Sequence, residues 1–382
     1  MRTLRISHFV TCYLIYCICI GSVLSFNKKQ PTPDSAVAEP KFTPTNGGEA
    51  LRIGIVGLVH THVHGILGRE DYGDIEIVGI VESNRALAQR YSEQHGYPMD
   101  LVYNTIEEMV AATKPEAVTC FNTTYDHLAV VKYCAPRGIH VMVEKPMAVN
   151  LDHAEQMVAL AKKHNIYLLT NYETTWYPST AEAYRLVHEE KAIGDIRKII
   201  FYTGHPGPKE IGCNEEFLAW LTDPVLNGGG ALMDFGCYGA NLATWLMKGA
   251  EPTSISCDTQ HIKPTIYPKV EDDATIVLNY PKTQVIIMAS WNWPHNRKEM
   301  EIYGTQGYVL CRNGTDMAVM RDEKEGPITY QLSPITHIPD PFAYLTFVIK
   351  EGYKVEPWSP SSMENNLVVM KVLEGAKNAI NG

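Results

Sequence analysis

Residues 139–146 read IHVMVEKP: an apolar, β-branched run that stops at Glu144, Lys145 and Pro146. A run of this kind that ends at a proline reads as a buried strand terminating at its carboxyl edge. In open α/β sheets, ligands bind beyond that edge. Pro146 disfavours the helical region for the residue before it, so Lys145 is presented on an extended bend. An ammonium there can serve an anionic phosphate, a carboxylate or a substrate hydroxyl. A lone Lys-Pro is more often a surface turn, and the sequence around it decides between the two.

Upstream, residues 51–58 (LRIGIVGL) carry a β-branched strand signal, a helix-like run follows over 63–67, and 75–81 (IEIVGIV) is a second strand ending at Glu82. Strand, helix and strand at this spacing form a βαβ unit. Glu82 stands where dinucleotide folds place a ribose-binding carboxylate. The turn departs from the glycine fingerprint. Its G-x-G-x-x-G slots hold Gly57, Val59 and His62, so only the first glycine is kept. Val59 brings a Cβ to where the backbone should approach a pyrophosphate, and His62 replaces the packing glycine. The start of the next helix still offers N–H groups to a phosphate. Gly57, Val59, His60, Thr61 and His62 are therefore candidate cofactor-binding residues on a weakened fingerprint. His60 and His64 are four apart and would share a helix face, as metal ligands can. No carboxylate sits at a ligand spacing beside them, so no metal site is expected.

The alternation continues. Residues 116–121 (EAVTCF) form a strand that ends in Asn122, Thr123 and Thr124; His127 opens a helix running to Cys134, and the 139–146 strand follows. A helix over 151–164, with Asn150 as N-cap, leads to a strand at 166–170. Together these predict a doubly wound parallel sheet over 51–170.

The chain has 382 residues, 45% hydrophobic and 20% charged, with a net charge of −10. That length allows two domains, and the charge argues against a nucleic-acid surface, which wants a basic patch. Arg2 and Arg5 precede an apolar run of 15 residues at 10–24, short of the roughly 20 a membrane span needs. Residues 1–25 therefore read as a signal peptide, with Val23 and Ser25 before the cleavage point. An exported, periplasmic protein is expected, meeting the membrane only through an uncleaved leader. Residues 26–50 are a Pro- and Thr-rich tether. Three of nine cysteines fall in the leader, and no Cys-x-x-Cys pair occurs, which excludes a zinc ribbon.

The 51–58 strand-turn, Glu82, the Asn122-Thr123-Thr124 segment with His127, and Glu144-Lys145-Pro146 together resemble the Gfo/Idh/MocA oxidoreductase family. The stretch GGGALMDFGCYGANLATWL at 228–246 strengthens the likeness, as do Asp272-Asp273-Ala274-Thr275 and the 302–307 tract. The resemblance covers residues 51 to the C-terminus. It implies an N-terminal Rossmann domain over 51–170 and a C-terminal α+β domain over 171–382 built on a large, mainly antiparallel sheet. It also implies a nicotinamide lying over that sheet beside Lys145. Many relatives carry a histidine four residues after the aspartate of the glycine-rich motif. Tyr238 stands there in this chain, which is similar in this respect to the exported glucose–fructose oxidoreductase branch. A homo-oligomer built on the open sheet is implied as well.

Residues 231–247 read as one helix placing Asp234 and Tyr238 on a single face. Its other positions are almost all apolar or small, so these polar groups have a use. Oxidation of a secondary alcohol needs a base for the hydroxyl proton. Either Tyr238 takes it with Lys145 as the nearby cation, or Lys145 is the base and Tyr238 orients; Asp234 binds a second hydroxyl or orients both. Glu82 favours NAD over NADP, although the nearby Arg85 keeps NADP open. Asn171, Tyr172 and Trp176 are candidate sugar contacts, since aromatic faces suit carbohydrate C–H faces.

Three functions fit these residues. One is an NAD(P)-dependent dehydrogenase oxidising a ring hydroxyl of a sugar, glycoside or polyol, with a tightly held cofactor because free nicotinamide is scarce outside the cytoplasm. Another is a glycoside hydrolase or lyase acting by transient oxidation and elimination. The third is a ligand-binding relative that has lost catalysis.

Overall fold

The structure, a computed structural model, describes residues 49–334, 338 and 340–381. The expected signal peptide, and all but the last two residues of the tether, lie outside the described residues.

The first half alternates strand and helix: β1 (Leu51–Val56), α1 (Val63–Leu67), β2 (Ile75–Val81), α2 (Arg85–His95), β3 (Val102–Tyr103), α3 (Ile106–Thr113), β4 (Ala117–Cys120), α4 (His127–Cys134), β5 (His140–Glu144), α5 (Leu151–His164) and β6 (Leu168–Asn171). All six strands are parallel, in the order β3-β2-β1-β4-β5-β6. The chain direction of travel reverses between β1 and β4, so a crevice opens beyond their carboxyl ends. Strands β4 and β5 are covered on both faces, which is why their sequences are continuous apolar runs rather than alternating ones. Helices start where a side chain can satisfy a free amide: Asn84 accepts from Leu87, Thr105 from Glu108, and Asn150 from His153.

The second half forms α6 (Pro178–Tyr184), β7 (Ile196–Gly204), α7 (Glu215–Leu221), α8 (Ala231–Asp234), α9 (Gly236–Leu246), β8 (Ser254–Gln260), β9 (Asp273–Asn279), β10 (Gln284–Ser290), β11 (Arg297–Gly304), β12 (Tyr308–Cys311), β13 (Asp316–Met320), β14 (Ile328–Gln331), α10 (Pro341–Lys350) and α11 (Met363–Asn381). Its eight strands run β14-β13-β12-β11-β7-β10-β9-β8. Every pair is antiparallel except β7 with β10. The sheet is therefore mainly antiparallel, as expected. One face is buried, with Ile276, Leu278, Val285 and Ile287 beneath α9. Gly239 makes that contact: a Cβ there would lie 2.5 Å from Ile287.

Two C-terminal helices return to the first sheet. Phe342, Leu345 and Val348 of α10 join the core under β1 and α1. Arg69 ties this helix down, bonding Asp340 at 2.6 Å and Asp74 at 2.7 Å. Helix α11 lies against α5 on one side and α9 on the other. No helix among the described residues is long and apolar enough to cross a membrane.

The single helix expected over 231–247 is broken at Phe235 into α8 and α9. The Tyr238 amide bonds the Phe235 carbonyl instead of continuing the ladder to Asp234. At the start of α9 the Asp234 carbonyl instead accepts from the Cys237 thiol at 3.2 Å and from Lys145.

Candidate active site

Lys145 leaves the end of β5 and points at the helix break. Its Nζ donates to Asp234 Oδ1 at 2.5 Å and to the Asp234 carbonyl at 3.2 Å. The other carboxylate oxygen, Oδ2, accepts from Trp291 Nε1 at 2.9 Å. All three residues are buried. Burial alone would lower the Lys145 ammonium, but the Asp234 carboxylate beside it, with Cys237 and Glu144, holds it above the ordinary lysine value. Burial alone would raise Asp234, but Lys145, His205 and the indole hold it down. The pair is thus ionised on both sides, with two of the three Lys145 N–H groups bonded to Asp234.

Tyr238 sits above this pair, with Lys145 Nζ 5.1 Å and Lys298 Nζ 5.4 Å from its ring centroid. Despite these cations its phenol is pushed well above the usual value, first by burial and then by Glu173, Cys237, Asp234 and Glu144. It is a neutral hydrogen-bonding group. Lys298, from β11, pairs with Glu173, which also accepts from the Tyr177 hydroxyl. His205, at the end of β7, packs edge-on against Phe235, and its Nδ1 accepts from the Gly207 amide at 2.9 Å. Burial lowers this imidazole; Asp234 opposes the shift, and Lys145 and Lys298 reinforce it.

Glu144 lies on the other side of Lys145. Its two oxygens accept from His62 Nδ1 and Asn171 Nδ2, each at 2.8 Å, and Asn171 Oδ1 accepts from Trp176 Nε1 at 2.9 Å. Burial alone would raise the Glu144 carboxyl, but His62, Asn171 and Lys145 hold it below the ordinary value.

The expected cofactor turn follows β1. Gly57 has φ of +82°, and a Cβ there would meet the Asn122 backbone at 2.7 Å, so β1 and β4 meet at this glycine. Glu82 accepts the amides of Leu58 and Asn84 at 3.0 and 2.8 Å, and each oxygen keeps a lone pair for a ribose hydroxyl. Three polar atoms at this switch point are buried and unpartnered: His60 Nε2, Asn122 Oδ1 and His127 Nε2. An orphan of this kind costs about 1–3 kcal/mol, so the crevice is incomplete without a polar ligand. The residues therefore fit a dinucleotide: Glu82 for a ribose, the Leu58–His62 turn with Asn122 for the phosphates, and Glu144 with Lys145 at the strand end.

The other candidates have local roles. Arg85 is exposed and bonds the Val102 carbonyl. Thr123 caps the turn before α4 by bonding Asp126, and Thr124 reaches Asn227. His127 donates to the Met147 carbonyl at 3.1 Å, and burial lowers its pKa to about 4. Tyr172 is fully buried with its ring edge-on to Tyr238. The Val59 and Thr61 carbonyls accept from Trp220 and His64.

The face shared by His60 and His64 does not form. His60 lies in the turn before α1, and His64 pairs with His95 at 2.8 Å. Instead His60, His62 and Glu144 bring potential ligand atoms within 4.8 Å of one another. His60 Nδ1 accepts from the His62 amide at 3.1 Å, so its proton sits on Nε2, and the trio is a hydrogen-bond chain rather than three free lone pairs. Sequence reasoning missed Glu173, Lys298 and His205. His205 could have been found, since it ends a strand just before Pro206, as Lys145 does before Pro146.

Residues 51–172 match a family profile described as "Oxidoreductase family, NAD-binding Rossmann fold", and residues 181–310 match the "GFO/IDH/MocA C-terminal domain". The trans-1,2-dihydrobenzene-1,2-diol dehydrogenase of Homo sapiens is 26% identical over 285 residues, covering 73% of this chain and 80% of that protein. Two solved structures share the fold. The aldose-aldose oxidoreductase from Caulobacter crescentus complexed with glycerol aligns with a TM-score of 0.70 at 22% identity, over 87% of this chain and 98% of that one. An oxidoreductase from Agrobacterium radiobacter in complex with NAD+, L-tartaric acid and magnesium aligns with a TM-score of 0.72 at 19% identity, over 88% and 97%. With one profile on each sheet-bearing half, the chain belongs to the Gfo/Idh/MocA family of NAD-binding oxidoreductases.

Proposed function

We propose that this protein oxidises a ring hydroxyl of a sugar, glycoside or polyol at the expense of a tightly held NAD. The observation that carries the reading is the buried Lys145–Asp234–Trp291 chain at the end of β5, facing a crevice with unpartnered polar atoms. A bound nicotinamide supplies a hydride acceptor. Lys145 then donates to the substrate oxygen and stabilises charge developing there, as a preorganised cation in a water-poor site does. Asp234, fixed by the Trp291 indole, aims the ammonium. Tyr238 donates a further hydrogen bond to the hydroxyl that reacts or to its neighbour. Glu82, together with an Arg85 turned toward Val102, favours NAD over NADP.

The names of relatives support a polyhydroxylated substrate: a cyclic diol for the curated enzyme, aldoses and glycerol for one structural neighbour. A cavity of about 350 Å³ lined by His62, Asn171, Glu173 and Trp176 adjoins the Glu144 end of the site. The charged and then apolar start of the chain supports an exported protein. Half-exposed Ile200, Val277 and Ile286 on the open sheet face support a homo-oligomer.

The test is a panel of sugars, glycosides and polyols with NAD+ and with NADP+, following reduced nicotinamide. NADH formation that Lys145→Met abolishes is the expected result. Silence from the whole panel contradicts the reading. Cleavage of an aryl glycoside without net NADH would assign the transient-oxidation chemistry instead.

A further inference from the structure

We propose that His62, oriented by Glu144, is the catalytic residue that takes the proton of the reacting hydroxyl. The proposal rests on the oxidoreductase reading above. It begins from a hydrogen-bond chain that no glycine at position 62 could make.

Glu144 is 2% exposed and holds its charge, so it accepts from both neighbours. In its neutral form His62 then donates through Nδ1–H, which leaves the lone pair on Nε2. Each further link is fixed: Asn171 holds the second oxygen of Glu144, Trp176 holds Asn171, and the His62 amide is held by His60. The His62 side chain is 37% exposed, and it lines the cavity beside Asn171, Glu173 and Trp176. A base oriented by a buried carboxylate, with its outer nitrogen free, is the arrangement that proton transfer to an imidazole requires.

The other groups of the cleft are committed. Lys145 is a charged ammonium bonded to Asp234, and both oxygens of Asp234 are bonded. Tyr238 is held neutral. His205 and His60 accept backbone amides at Nδ1, which puts their protons on Nε2. His127 has a lone pair on Nε2, but that atom is buried. Among the described residues of the cleft, His62 is the imidazole that presents an accessible lone pair.

The step balances. The substrate O–H bond breaks and an Nε2–H bond forms, giving an imidazolium stabilised by Glu144. The carbon's hydrogen leaves with its electron pair to the bound NAD+, and the C–O single bond becomes a carbonyl. Glu144, Asn171 and Trp176 are positioning residues.

The experiment uses the full chain with NAD+ and three variants, His62→Gly, His62→Gln and Glu144→Gln. The alcohols are myo-inositol, D-glucose and the panel above. His62→Gly also restores the glycine of the fingerprint, so NAD+ affinity should hold or tighten while kcat falls by about 10²–10⁴. Added imidazole should recover part of that loss in His62→Gly. Glu144→Gln should lower kcat by a similar factor with KM within a few-fold, because an amide at this place favours the wrong tautomer. Histidine ¹⁵N spectra of the wild type should show His62 protonated on Nδ1 and bare on Nε2, and Glu144→Gln should disturb this. A wild type that turns over while His62→Gly keeps its kcat overturns the proposal alone, as does a His62 protonated on Nε2. A wild type inert toward every alcohol removes the oxidoreductase reading, and this proposal with it.

Discussion

The two walls of the crevice are finished to different degrees. On the β5 wall, Lys145, Asp234 and Trp291 are buried with their charges paired and both Asp234 carboxylate oxygens bonded. On the β1–β4 wall, His60 Nε2, Asn122 Oδ1 and His127 Nε2 are equally buried and have no partner. The first wall is preorganised, so it costs nothing to assemble when substrate arrives. The second carries unpaired groups that a ligand with polar atoms relieves on binding.

The largest effect comes from breaking the finished wall. Removing one member of a buried ion pair costs about 3–5 kcal/mol, because the other charge is left uncompensated. Lys145→Met and Asp234→Asn should each lower the urea midpoint accordingly. The double variant Lys145→Met/Asp234→Leu should recover much of that stability while remaining inactive. Equal losses that simply add would show that the pair is not coupled.

Acid should act next, through the unfinished wall. The folded pKa of His127 is depressed to about 4 by burial, against about 6.5 in an unfolded chain. Between those values the unfolded state binds the proton and the folded state does not, so stability falls as pH falls. The full linkage is roughly 3 kcal/mol for this residue. His188, also lowered to about 4 by burial and Lys248, adds in the same direction. Urea midpoints from pH 7 to pH 4 measure this, and His127→Gln should flatten the slope.

A smaller loss, about 1–2 kcal/mol, is expected for Trp291→Phe, which strips a hydrogen bond from a buried carboxylate. Its kcat should fall with little change in NAD+ affinity. The smallest change separates the two walls most sharply. His60→Phe removes an orphan donor among Phe217 and Trp220 and also the Nδ1 acceptor of the His62 amide, so the two effects offset and the free protein should change by no more than about 1 kcal/mol, with weaker NAD+ binding. A large destabilisation of the free protein would mean that His60 is structural.

The parallel sheet was legible because buried strands impose continuous apolar runs and because Asn150 and Glu82 sit at element ends, where local chemistry decides. Lys145 was legible for the same reason, at a strand edge marked by Pro146. The break at Phe235 was not. Residues 231–247 are helical by composition, and the break shows only as a carbonyl that Lys145 finds 89 positions away. Nor was the partnership of His62 with Glu144, which joins residues 82 apart that meet only because β1 and β5 share a sheet edge. The roles of Lys298 and Glu173 likewise depend on how β11 faces the end of β6, which no local pattern encodes.

The most direct test of the central claim is mass spectrometry of the nucleotide released when the purified full-length protein is denatured. The account predicts NAD or NADH at close to one per chain. A protein that releases no nucleotide and also fails to bind added NAD+ or NADP+ by calorimetry would contradict it, because the unpaired atoms of the β1–β4 wall would then belong to a crevice without a dinucleotide.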